Sequence, residues 1–248
     1  MSEPTEPLVR LHEHEAVVVL QLNRPAKLNA LSTALEQALL DAVRSEQVAA
    51  AKAVVFTGHE RAFSAGADTS ELHEMTPERI ATYYRASGSL YEAVARLPQP
   101  TVAAISGYCL GAGFELALAC DVRIADESAI FGLPEVGLGI LPSSGGLTRL
   151  VRAVGTAVTR DITLFGERFP AVEAHRLGLV REVVGVGLAL SGALDRAAYL
   201  AGQPALAMAW TKAAIDAAAE SSAATSLLIE QLAYAALNRA AHAAEESS

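Results

Sequence analysis

The chain has 248 residues, of which 52% are hydrophobic and 19% charged, a balance too apolar for a disordered chain and a length suited to one compact domain with or without an appendage. Nineteen basic against 28 acidic residues leave a formal charge of −9, which excludes broad attraction to nucleic acid or to an anionic membrane surface. No apolar run approaches the ~18–20 residues of a membrane span, and the first ten residues lack the basic start and apolar stretch of a signal peptide, so a soluble cytoplasmic protein is expected.

In chain order, Ala16 to Leu22 reads as a strand that Asn23-Arg24-Pro25 ends, because proline disfavours helical geometry at the residue before it. Ser32 or Thr33 caps a helix running to about Arg44, and Ala53 to Thr57 is a short buried strand. Gly58 to Thr69 is a glycine- and alanine-rich loop. An amphipathic helix starts near Thr76-Pro77 and ends before Pro98, since proline suits a first helical position. Thr101 to Ser106 is a strand that passes through Gly107 and Gly111-Ala112-Gly113 into a helix over Phe114 to Cys120. Asp121 to Ala125 and Ala129 to Phe131 are two further strands, followed by turns at Pro134, Gly137, Gly139 and Pro142. Helices are expected at 146–153, 155–165, 171–177, 188–201, 204–220 and 225–240, with one strand at Leu179 to Val184 and a frayed tail from Ala240. Strands alternating with helices indicate an α/β layered domain over 1–194, and residues 195–248 form a separate helical region. Its alanine, leucine and isoleucine side chains, spread over more than one helix face, call for burial against a partner.

Cys109 and Cys120 have no CxxC spacing and no histidine at metal-ligand distance, so both read as core thiols and no metal site is expected. A dinucleotide reading of Gly111-x-Gly113 fails because Leu116 stands at the third glycine position, and Glu135 follows a turn instead of ending a strand. No GxxxxGK[ST] stretch occurs. Ala62-Phe63-Ser64-Ala65-Gly66 approaches a GxSxG nucleophile elbow without its first glycine, and nothing local pairs an acid and one of His73, His175 or His242 with Ser64.

A third constellation combines two small-residue turns with two acids. In Ser64-Ala65-Gly66-Ala67-Asp68 and Gly111-Ala112-Gly113 the backbone is open to a carbonyl oxygen, which two peptide N–H groups would hold as an oxyanion hole. Glu115 opens a helix and Glu135 follows a proline turn; two carboxylates in different environments would move protons on and off carbon and water. Each residue also has a structural reading. Glu115 complements a helix dipole, Asp68 and Asp121 bond nearby backbone as turn acids, the glycines at 137, 139, 145 and 146 make tight turns, and Arg24 and Lys27 are solvated loop charges.

The ordered combination resembles the enoyl-CoA hydratase/isomerase (crotonase) family. The resemblance is carried by Asn23-Arg24-Pro25-x-x-Leu28-Asn29-Ala30-Leu31, Ala62-Phe63-Ser64-Ala65-Gly66-Ala67-Asp68, Gly107-Tyr108-x-x-Gly111-Ala112-Gly113-x-Glu115-Leu116-Ala117 and Phe131-Gly132-x-Pro134-Glu135-x-Gly137-x-Gly139. It implies a spiral of strand-strand-helix units with a C-terminal helical region that assembles trimers or hexamers. It further implies that the backbone N–H groups of Ala67 and Ala112 hold the thioester oxygen of an acyl-CoA. Glu115 and Glu135 would then activate water and exchange a proton with the α carbon. Retention of both acids points to reversible hydration of a trans-2-enoyl-CoA. The alternatives on the same scaffold are double-bond isomerisation, thioester hydrolysis and acyl-CoA binding without turnover. By the same resemblance, Arg24, Ala26, Lys27, Leu28, Ala65, Asp68, Thr69, Ser70, Gly111 and Leu133 line the path of the acyl-CoA. Coenzyme A is then a substrate carrier, with no metal or redox cofactor. Two departures from the family pattern are Leu133, where a polar residue often stands, and the polar turn Pro142-Ser143-Ser144-Gly145-Gly146.

Overall fold

The computed structural model describes residues 6–76, 78–79 and 89–245, the last five as backbone alone. Among these, β1 (Val9–His14) and β2 (Val17–Leu22) form an antiparallel hairpin with His14 opposite Val17. Strands then come in pairs, β3 (Ala53–Thr57) with β4 (Ala62–Ser64), β5 (Thr101–Ile105) with β6 (Tyr108–Leu110), and β7 (Val122–Asp126) with β8 (Ile130–Gly132), before β9 (Phe169–Pro170) and β10 (Glu182–Val184). The first member of each pair enters a six-stranded sheet of order β1-β2-β3-β5-β7-β10, and the second enters a four-stranded sheet of order β4-β6-β8-β9. All neighbours are parallel except β1 with β2 and β8 with β9. Each turn of the chain thus lays one strand in each sheet, which is the expected spiral.

The large sheet is covered on both faces, and its central strands therefore read as unbroken apolar runs instead of alternating ones. Along β3, Val54 and Phe56 face the main core with Leu20, Phe63, Phe114 and Phe131, while Ala53 and Val55 face the opposite side. There they meet Ala193, Ala197 and Ala201, the small-residue stripe of helix Ala189–Ala201. The expected boundary at 194/195 falls inside that helix. Its buried alanines belong to the sheet layer, so the helical region proper starts with Ala205–Glu220 and continues through Ala223–Glu245.

Most helices fall where expected. Ser32 Oγ accepts the Leu35 N–H at the start of Thr33–Val43, and Gly155 (φ 76°, ψ 169°) interrupts Gly146–Phe165. The helix expected from Thr76-Pro77 lies largely outside the described residues, although 89–95 are helical. Two corrections concern the ends of the chain. β1 is a strand that the sequence reading left without structure, because its turn, Glu15-Ala16 with Glu15 at φ 55°, carries no Asn-Gly or Asp-Gly signal. The last helix continues to Glu245 instead of fraying at Ala240.

Candidate active site

Helix Ala112–Ala119 is buried on every side, and the packing beneath it fixes where Glu115 points. Phe114 meets Phe131 of β8 edge-on at 5.3 Å between ring centroids and Phe169 of β9 at 6.1 Å, while Gly113 rests on β4 so closely that a Cβ there would lie 2.6 Å from the Ser64 carbonyl oxygen. Gly111, at φ +50°, makes the strand-to-helix turn, and a Cβ on it would lie 2.9 Å from Glu135 Oε1. Only glycine meets both requirements.

Glu115 is 2% exposed, and its Oε1 accepts the N–H groups of Ser144 at 2.8 Å and Gly146 at 2.9 Å. Burial pushes its carboxyl above the ordinary range, while these amide bonds and the charge of Arg149 pull it back. Glu135 begins a short 3-10 turn after Pro134 and is 8% exposed. Burial, with the neighbouring Glu115 charge adding to it, raises its pKa to about 7. Its Oε2 is buried and has no hydrogen-bond partner among the described residues. One acid is held by two amides and the other is left with a free oxygen, so the two carboxyl groups sit in different environments.

Both acids line one pocket of about 80 Å³, together with Ala65, Gly66, Ala67 and Thr69 from one turn and Gly111 and Ala112 from the other. Leu31 pairs with Ala67 as a single parallel bridge that uses the N–H groups of Leu31 and Asp68. The N–H groups of Ala67 and Ala112 find no acceptor among the described residues. Gly66, at φ +102°, brings the two turns together; a Cβ on it would lie 3.6 Å from the Ala112 nitrogen. Two free amides over an acid-lined pocket suit a carbonyl oxygen that gains negative charge.

The other expected contacts are divided. Ala65, Thr69 and Gly111 line the pocket, and Ala26 and Leu28 border a separate open groove. Lys27 and Ser70 are exposed nearby. Arg24 and Asp68 are engaged with each other at 2.6 Å; Arg24 also donates to the Ala30 carbonyl, and Asp68 caps helix Thr69–Glu74 through the Ser70 N–H. This pair ties together the two loops that carry Leu28 and Ala67, and the Arg24 contact holds the Asp68 carboxyl below its usual range. Leu133 is fully buried in the main core and does not line the pocket.

Ser64 is buried, donating to the Asn29 carbonyl and accepting the Gly66 N–H, so it shapes the turn and is no nucleophile. Cys109 and Cys120 are free, buried thiols. Asp121 is more than a turn acid, since Thr101 and Lys212 both donate to it. No group of three or more histidine, cysteine or acidic side chains suited to a metal ion occurs among the described residues. No described helix is long and apolar enough to cross a membrane. The sequence reading missed the amides of Ser144 and Gly146 that hold Glu115, and the apolar wall of Leu72, Leu138, Ile140 and Leu141. The glycine pair at 145 and 146 was a signal for the first; a Cβ on Gly146 would lie 2.5 Å from Glu115 Cγ.

Comparison with known proteins agrees with this architecture. The chain is 41% identical over 202 residues to the 2,3-dehydroadipyl-CoA hydratase of Escherichia coli (strain K12), covering 81% of this chain and 78% of that protein. It is 37% identical over 220 residues to the probable enoyl-CoA hydratase 2, mitochondrial, of Arabidopsis thaliana, covering 88% and 73%. A crystal structure of enoyl-CoA hydratase from Bacillus anthracis matches with a TM-score of 0.87 at 36% identity, covering 92% of this chain and 89% of that one. Residues 12–247 match the enoyl-CoA hydratase/isomerase family, and the chain belongs to that family.

Proposed function

We propose that the chain is an enoyl-CoA hydratase, adding water reversibly to a trans-2-enoyl-CoA to give the 3-hydroxyacyl-CoA. The observation that carries this reading is the meeting of two buried carboxyl groups and two unpaired amides in one pocket. The Ala67 and Ala112 N–H groups hold the thioester oxygen and stabilise the enolate-like state. Glu115, oriented by the Ser144 and Gly146 amides, takes a proton from water as the water oxygen bonds to C3. Glu135, protonated near neutral pH, gives its proton to C2. The reset returns one proton from Glu115 to Glu135 through solvent, so atoms and charge balance over the cycle. Coenzyme A is substrate and not a resident cofactor, and the step as written uses only protons and water.

The apolar wall of Leu72, Leu138, Ile140 and Leu141 supports an apolar acyl group of short or medium length. Exposed Ile215, Leu228, Leu232 and Tyr234 on the two C-terminal helices support assembly as a homotrimer or homohexamer.

The test is turnover of crotonyl-CoA by wild type and Glu135→Gln, with acyl-CoA affinity measured by calorimetry. The variant keeps shape and loses the proton, so turnover should fall by about 10²–10⁴-fold with affinity nearly unchanged. Unchanged turnover would sink the role given to Glu135.

A further inference from the structure

Arg149 lies beside the pocket without lining it, and it joins two elements far apart in sequence. It sits in the first turn of helix Gly146–Phe165 with its side chain 19% exposed. Nη1 donates to the Ser144 carbonyl at 3.0 Å, and Nη2 donates to the Tyr91 carbonyl and the Glu92 carboxylate, both at 3.4 Å. The guanidinium crosses the turn so closely that a Cβ on Gly145, itself at φ +89°, would lie 2.4 Å from Nη1. The Ser144–Gly145 peptide held in this way separates the two amides that bind Glu115.

We propose that Arg149 is a positioning residue for Glu115: it fixes the Ser144–Gly145 peptide so that the flanking Ser144 and Gly146 N–H groups stay aimed at the carboxylate. The enzymological part of this proposal rests on the hydratase reading. A partly exposed pair with Glu92 alone would contribute little. A planar fork reaching two carbonyls is a different matter, because lysine has one nitrogen to offer and cannot reproduce it. The charge also acts on Glu115 across the turn. The groups that face Glu115 are Glu135 from the 3-10 turn and Arg149 from its helix, and Arg149 in turn faces Glu92, Arg152 and Cys120. Arg149 is the one cation acting directly on Glu115 among the described residues, and it favours the ionised form.

The test follows Glu115 without requiring turnover. Side-chain carboxyl carbon-13 NMR, assigned with Glu115→Gln, is recorded across pH on the full chain as wild type, Arg149→Met and Arg149→Lys, beside kcat and KM for crotonyl-CoA. Arg149→Met should raise the Glu115 midpoint by about one pH unit and lower kcat ~10–100-fold, with KM changed less than about threefold. Arg149→Lys should restore the midpoint and only part of kcat. A Glu115 midpoint that stays put in folded Arg149→Met overturns the proposal. So does wild-type kcat in Arg149→Lys, which also serves if Arg149→Met does not fold. A wild type that fails to hydrate crotonyl-CoA counts against the hydratase reading, and the NMR comparison still decides the role of Arg149.

Discussion

Glu135 sits in an environment that its residue type does not prefer. A carboxyl with an unpartnered oxygen inside the protein keeps its proton, and the cost of losing it enters stability as well as chemistry. Its folded pKa of about 7 lies above the ordinary 4.5, so the folded chain binds this proton more tightly than the unfolded chain. The group's contribution is complete below pH 4.5 and is lost as pH rises through about 7. Glu135→Gln should therefore be more stable than wild type at pH 8 by on the order of 1–3 kcal/mol, and so unfold at a higher temperature there, and match it near pH 4.5. Thermal denaturation at the two pH values checks this, and an equal Tm difference at both would contradict it. For hydration, kcat/KM of the wild type should decline as pH rises through about 7, because the proton given to C2 is then gone. Gly146 offers a second test at this scale. Gly146→Ala places a methyl where Glu115 Cγ lies, and turnover should fall about 100-fold with little change in acyl-CoA affinity; steady-state kinetics and calorimetry separate the two.

Helix Ala112–Ala119 links fold to site at the scale of elements. Its buried Phe114 is locked between Phe131 and Phe169, so Phe114→Ala should cost about 3–5 kcal/mol in a urea titration. A loss below ~1 kcal/mol would show that the aromatic cluster does not anchor the helix. The same neighbourhood explains what was legible in the sequence. Long helices announced themselves through caps and glycines, such as Ser32 and Gly155, and β3 through its run of apolar residues. The small sheet was harder, because β4 and β6 have three residues each, too few to display a period of two. β6 therefore reads from sequence as part of the turn before Gly111, and β4 as part of the loop before Asp68. At the site, residue type marked the two acids and the two small-residue turns. Their convergence was invisible, since Glu115 and Glu135 meet only when β6 and β8 pair. The amides that hold Glu115 were invisible for another reason: the direction of a peptide N–H belongs to the backbone and not to a residue type.

The whole molecule divides labour between two sheets and a helical arm. The sheets bury the core and present the pocket at the turns that follow the small sheet's strands. The arm has a different character, with no buried residue in Ala205–Glu220 and contact to the core through Lys212 to Asp121 and Arg152 to Glu220. Its Ile215 and Leu232 are exposed, and the proposed trimer or hexamer would bury them between copies of the chain. Native mass spectrometry should show three or six copies, and Ile215→Glu combined with Leu232→Glu should shift the mass toward one; a monomeric wild type would remove the arm from assembly.

The most direct test of the two-carboxylate account is mass-spectrometric product analysis after crotonyl-CoA is turned over in oxygen-18 water and, separately, in deuterium oxide. Wild type should place one solvent oxygen on C3 and one solvent deuteron on C2, and Glu115→Gln and Glu135→Gln should do neither at a comparable rate. A shifted double bond, free coenzyme A, or labelled product formed at the wild-type rate by either variant would contradict it.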